Sequence, residues 1–314
     1  MIENQLLDKL LYFCIPKISK PENLDSDELS ESELLVQFDG KEFKIQNHHE
    51  TQDNIRINSF LRLLSYCKES LPKNLDCKFI LNLYEGIYDE KKNQRFAYTA
   101  KPNSKHILIP DSHNFETVNK IKSLQEVDIP FETKIKKAIF IGSDTGNRRK
   151  DGWTVRFIVS NEYADSDKVF SKIFGIGDSM NRFSPEIINN ITYSPLNLQE
   201  QLKHQVVLNI NGNSTSWERL LWAMASNSLC VFVKPFDGEE MYSWYYPILE
   251  SLGLAIYVEH DKLEKFIEDN DFNDPFWREK NEQQKQFAYY IASPQSQVKL
   301  LTEILKRYNE IYNS

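Results

Sequence analysis

Apolar residues in the opening stretch "MIENQLLDKLLYFCIPK" recur at Leu6, Leu7, Leu10 and Leu11, the spacing of an amphipathic helix. The acidic, serine-containing "PENLDSDELSESE" that follows is too polar to pack alone and reads as a loop or the start of a surface helix. In "LLVQFDGKEFKIQ" apolar and polar residues alternate around Asp39-Gly40, which predicts a β-hairpin. "NSFLRLLSYCKESL" returns to helical spacing through Phe60, Leu63, Leu64 and Cys67, and "CKFILNLYEG" is a short β-rich run ending in a carboxylate and a glycine. "HILIP" and "KAIFIGS" predict further strands.

From about residue 137 strands and helices alternate: "KAIFIGS", "VVLNI", "SWERLLWAMAS", "LCVFV", "YYPILESL", "AIYVE", "LEKFIED". Strands separated by helices of this length favour an α/β fold with a parallel sheet covered by helices. The chain closes with two predicted helices separated at Ser293-Pro294, and it contains no internal repeat and no low-complexity tract.

At 314 residues the chain is long enough for two domains. No apolar run approaches the roughly 18 to 20 residues needed to cross a bilayer, and the N-terminus, with Glu3, does not read as a secretory signal. The expectation is a cytoplasmic protein, with peripheral association at the inner face of a membrane as an option. The net charge of -8 argues against a nucleic-acid partner held by phosphate neutralisation. A local basic cluster remains: Lys134, Lys136 and Lys137, with Arg148, Arg149 and Lys150 beyond. The four cysteines (Cys14, Cys67, Cys77, Cys230) form no CxxC pair, so neither a zinc site nor a disulfide scaffold is indicated and buried thiols are expected. His48-His49 and His106 to His113 lack metal-ligand spacing.

Candidate chemistry gathers in two loops. In "VVLNINGNSTSWERLLWAMASNS", Val206 to Ile210 form a strand, Asn211 to Ser214 supply turn residues, and Thr215 with Glu218 has the spacing of a capping box. Trp217, Leu220, Leu221 and Met224 share one face of the helix that follows. Such a strand–loop–helix turn points backbone N–H groups and the positive end of a helix at the carboxyl edge of the sheet, where an anion can sit. Arg219, in the first turn, could add a guanidinium fork suited to phosphate oxygens, or could simply pair with a surface carboxylate. In "FIGSDTGNRRKDGW" a strand runs into Gly142, Ser143, Thr145 and Gly146 and then two arginines, a second site suited to a diphosphate, with a polar hairpin as the plain alternative. There is no GxGxxG and no GxxxxGK[ST].

"GNSTSWERLLWAMASNSLCVFVKP", followed by "EEMYSWYYPILESLGLAIYVEHDKLEKFI", resembles the C-terminal half of the family 90 glycosyltransferases, and "GSDTGNRRKD" resembles that family's Gly-Ser-x-Thr loop ending in an arginine. The likeness spans about residues 75 to 310 and is strongest from about 137 to 270. It implies a GT-B arrangement, two Rossmann-like domains facing a cleft. Residues 1–135 would form the acceptor-side domain, 136–290 the nucleotide-sugar-binding domain, and 291–314 a C-terminal helix packing back on the first.

By the same resemblance Arg149 and Arg219 contact the diphosphate of a UDP-sugar, with Gly142, Ser143, Thr145, Gly146, Asn213 and Ser216 nearby. No cofactor or metal is required, because the cations stabilise the leaving nucleoside diphosphate. The family's general base is an Asp following a strand that contains an Asn. Here "FILNLYEGIYDE" offers Asn82 and then Glu85, with Asp89 as second candidate. Either could deprotonate an acceptor hydroxyl as it attacks the anomeric carbon, inverting the configuration. The chain departs from the family pattern at Ile141, at Ser243 and at Ala255-Ile256. Trp244, Tyr245 and Tyr246 could stack on a sugar or base, or belong to a core.

The implied activity is inverting transfer of glucose or xylose from a UDP-sugar to a hydroxyl of a glycan, glycolipid or protein, as in bacterial lipopolysaccharide or capsule synthesis. Two other readings use the same loops. One is a nucleotide-sugar-binding protein that has lost transfer; the other is a sugar-phosphate-modifying α/β enzyme.

Overall fold

A computed structural model of the chain describes residues 2–14, 24, 29–30, 33–46, 54–83, 94–111, 114–146, 152–174, 184–236 and 240–313. Glu85, Asp89, Arg149, His48, His49 and His113 lie outside them. The protein is α/β and divides into two units. The first comprises Met1–Val118, Met241–Ser251 and Tyr290–Ser314; the second comprises Asn119–Glu240 and Leu252–Tyr289.

In the first unit, β1 (Glu33–Phe38) and β2 (Phe43–Gln46) form the hairpin predicted around Asp39-Gly40, in a register that sets Phe38 opposite Phe43. Asp39 Oδ1 accepts from the amides of Lys41 and Glu42, the turn bonding that makes Asp favourable there. Gly40 has φ of 79°, and a Cβ on it would lie 2.2 Å from the Lys73 carbonyl oxygen, so only glycine fits. Strand β1 pairs antiparallel with β3 (Cys77–Asn82), which pairs parallel with β4 (Phe96–Ala97), and β4 pairs parallel with β6 (Ile107–Leu108). Helices α1 (Ile2–Cys14) and α2 (Asn54–Lys68) also belong to this unit.

Two late segments return to it. β11 (Tyr242–Ser243) pairs antiparallel with β5 (Thr99–Ala100) and leads into α8 (Tyr246–Ser251). This ladder explains why Met241–Ser251 leaves the surrounding sequence, an excursion that a division into 1–135 and 136–290 does not contain. The final helix α11 (Pro294–Tyr312) packs on α1, α2 and β3, and its Tyr308 donates to the Lys78 carbonyl at 2.9 Å while its ring meets Phe79 and Phe96 edge-on. Trp244, Tyr245 and Tyr246 are buried among these elements, in line with the core alternative rather than ligand stacking.

The second unit begins within α3 (Asn114–Val127) and is built on β7 (Ile135–Ser143), β8 (Val169–Phe174), β9 (His204–Asn209), β10 (Leu229–Val233) and β12 (Ile256–Val258). All pairings are parallel, in the spatial order β12-β10-β9-β7-β8. α4 (Val155–Glu162) connects β7 to β8, α5 (Pro185–Ile191) and α6 (Leu198–Gln201) lie between β8 and β9, and α7 (Trp217–Ala225) connects β9 to β10. α9 (Leu263–Asp269) and α10 (Pro275–Ala292) follow β12. The order is that of a doubly wound sheet, whose winding reverses between the first strand, β7, and the third, β9. Phe140, Leu208 and Val231 face a core completed by Phe157 and Val159 of α4 and Ile267 of α9. α7 packs on β9 and β10 outside that core, on the other side of the sheet.

α4 and β8 interrupt what the residue pattern presents as one step from "KAIFIGS" to "VVLNI". Val155, Ile158 and Val159 give α4 a β-branched look, and Ser171 sits at an inward position of β8 where an apolar residue would signal a strand. The structure resolves the polarity: the Ser171 hydroxyl is 3.0 Å from that of Ser160 in α4, a buried bond between strand and crossover helix.

Candidate functional site

Ligands of doubly wound sheets bind beyond the carboxyl ends of the strands at the point where the winding reverses. Here that point lies between the ends of β7 and β9, the two strands that feed the Gly/Ser/Thr loops. The β7–β9 ladder ends at Ile139 and Val207, whereas β7 stays paired with β8 as far as Ser143 and Phe174. Past residue 139 the strand carbonyls on the β9 side need other donors. Two guanidinium groups supply them.

Arg219, from the first turn of α7, donates through Nη2 to the Ile141 carbonyl and lies with its Cζ 5.0 Å from the centre of the Phe140 ring. Its Nη1 is buried with no hydrogen-bond partner, and among the described residues no carboxylate pairs with it. Loss of solvent lowers its pKa from 12.5 to about 10, leaving it protonated at neutral pH. The alternative of a surface ion pair is therefore not realised. The structure holds a half-buried cation whose buried Nη1 has donor capacity to spare.

Arg156, the second residue of α4, also lies against this ring, its Cζ 5.5 Å from the centre. Its Nε and Nη2 donate to the Ile210 carbonyl at 3.2 and 2.9 Å, and its Nη1 donates to the Ser143 carbonyl at 3.0 Å and to Thr145 Oγ1 at 2.7 Å. The residue pattern gave no reason to select it, since a lone arginine in a short helix reads as a solvated cation. Its basic side chain two places after a threonine cap, just beyond a Gly/Thr loop, was the available signal.

The loops themselves meet. The Gly146 amide donates to Asn213 Oδ1 at 3.0 Å, joining positions 67 residues apart. Gly146 has φ of 136°, a conformation that favours glycine. Gly212 is close to both Thr145 and Arg156: a Cβ there would lie 2.9 Å from Thr145 Oγ1 and 3.0 Å from Arg156 Nη2. Gly142 is buried beside the Phe140 ring, 2.7 Å from where a Cβ would stand. Asp144 is buried and accepts from the Thr154 hydroxyl at 2.5 Å, and Thr154 in turn caps α4 by accepting from the Phe157 amide.

At α7 the cap differs from the expected box. Ser216, not Thr215, is the N-cap, and its hydroxyl donates to the Ile210 carbonyl at 3.1 Å rather than accepting from the helix. Glu218 pairs with Lys120 at 2.9 Å instead of turning back on the cap. The first amides of α7 therefore have no side-chain cap, which leaves them as donors at the positive end of the helix.

Gly142, Ser143, Thr145, Gly146, Asn213, Ser216 and Arg219 thus belong to one assembly at the sheet's carboxyl edge, with Arg156 added to it. In the first unit, Asn82 ends β3, buried and in register with Glu33 and Ala97. No family model matches the chain, and no curated protein matches it either.

Proposed function

We propose that this chain is an inverting glycosyltransferase of GT-B arrangement, whose second unit binds the diphosphate of a UDP-sugar at the β7/β9 switch point. The observation that carries the reading is Arg219. A half-buried guanidinium whose Nη1 is buried and unpaired, with no carboxylate partner among the described residues, is costly unless an anion compensates it. It stands in the first turn of a helix whose amides lack a side-chain cap, beside loops rich in small polar residues. A diphosphate would accept from Arg219 Nη1, from the α7 amides and from the hydroxyls of Ser143 and Thr145. As the glycosidic bond breaks, negative charge grows on the leaving diphosphate, and a fixed cation that needs no reorganisation stabilises it.

Glu85 is the proposed general base, with Asp89 second, and either would take the acceptor hydroxyl's proton during direct displacement. Arg149 is a proposed second diphosphate contact. Glucose or xylose is the proposed donor sugar and a bacterial surface-glycan intermediate the proposed acceptor. The cytoplasm or the inner face of a membrane is the proposed location. Among the described residues no helix is long and apolar enough to cross a membrane.

Titration calorimetry of the purified protein against UDP, GDP, CMP and their sugar conjugates tests the donor site. Selective binding of UDP and its conjugates, weakened about 100-fold or more in Arg219→Ala, is the expected result. Binding of sugar phosphates in preference to every nucleotide would instead support a sugar-phosphate-modifying enzyme.

A further inference from the structure

The two loops of the site leave different strands, and nothing in the sheet ladder holds their separation once β7 and β9 part after Ile139 and Val207. Among the described residues, contacts that span the gap include Gly146 to Asn213, the close approach of Gly212 to Thr145, Arg219 to the Ile141 carbonyl, and Arg156. Of these, Arg156 alone touches the end of β7, the loop after it and the residue that follows β9 at once, through Ser143, Thr145 and Ile210. Its planar fork fixes the relative position of those three acceptors in a way a flexible ammonium cannot. At least four of its five N–H groups are directed at protein atoms, so it has little to offer a ligand directly.

We propose that Arg156 is the positioning residue of the phosphate site: it sets the separation of the two loops, and affinity for a nucleoside diphosphate depends on it although the ligand does not touch it. The inference rests on the donor-site reading above and adds to it the element that builds the site before ligand arrives. A ligand bridging both loops gains from each only if their spacing is already correct.

The test pairs Arg156→Lys, which keeps the charge and loses the fork, with Gly212→Ala, which removes no polar group but sets a methyl against Thr145 Oγ1 and Arg156 Nη2. For each variant, UDP affinity is measured by calorimetry, and hydrogen exchange of the peptide containing Gly146 is followed with and without UDP. In Arg156→Lys, UDP affinity should fall about tenfold or more while exchange at Gly146 in the free protein speeds up. Gly212→Ala should move both readouts in the same direction, and it decides the matter alone if Arg156→Lys does not fold. A merely structural arginine would lower the melting temperature without separating the two loops. Variants that bind UDP within about twofold of wild type overturn the positioning role and leave the donor site standing. Wild-type protein that binds neither UDP nor inorganic pyrophosphate overturns the donor-site reading and this inference together.

Discussion

Arg219 and Arg156 share one phenyl ring yet differ in what their donors meet. Arg156 is bonded on both sides of the strand gap, while Arg219 Nη1 has no partner among the described residues. Residue type alone does not separate the two; the hydrogen bonds each makes do. Other buried charges in the same unit are closed off. Lys134 is bonded to Asp128 and to the Leu202 carbonyl, and Asp128 also accepts from the Asn227 amide at 2.6 Å. Burial lowers the Lys134 pKa, and its ammonium is already held by a carboxylate and a backbone carbonyl. All four thiols are buried, and burial raises those of Cys14, Cys67 and Cys77 to about 12, so none is poised as a nucleophile.

His204 gives a residue-level pH prediction. Burial lowers its pKa below 6.5, and its Nδ1 faces the Gln201 carbonyl at 3.2 Å. Because the folded value is the lower one, the unfolded chain binds the extra proton first as pH falls. Stability from this group is present above about 6.5 and is lost as pH drops from there toward the folded value. In urea denaturation at pH 7.5 and pH 5.5, His204→Gln should lose less stability between the two conditions than wild type. Equal losses would show that His204 is not the group responsible.

At the scale of elements, the hairpin, the first and last helices, and strands β7, β9 and β10 were legible because each announces itself by period and by turn chemistry. The Gly40 turn is the clearest case. Gly40→Ala meets both a left-handed φ and a backbone oxygen 2.2 Å from the new Cβ, so it should destabilise the protein by about 1–3 kcal/mol or more. Urea unfolding measures this, and a loss below about 0.5 kcal/mol would mean the turn relaxes freely. α4 and β8 were not legible, because β-branched residues in a short helix and an inward serine in a strand reverse the usual signals. The loop residues of the site stood out as Gly, Asn, Ser and Thr following apolar strands. Arg156 did not, since its acceptors are backbone carbonyls that only the fold brings together. The α7 cap was misplaced by one residue for a related reason: Thr215 and Glu218 have the spacing of a box, but the Ile210 carbonyl and Lys120 compete for Ser216 and Glu218.

For the whole molecule, alternation of strands and helices announced a parallel sheet, but not its order. The order sets β7 beside β9 with the winding reversed between them and so brings two loops 67 residues apart onto one edge. Chain path was also hidden: the return of Met241–Ser251 to the first unit depends on a two-residue pairing of β11 with β5 that no periodicity encodes. Site residues in the second unit could be placed from local sequence because both loops directly follow its strands. The proposed nucleoside diphosphate at that switch point is best checked by a crystal structure of the protein with UDP. The diphosphate should lie between the 143–146 and 212–216 loops, with a phosphate oxygen accepting from Arg219 Nη1. UDP ordered elsewhere on the chain, with Arg219 still bonded only to Ile141, would contradict it.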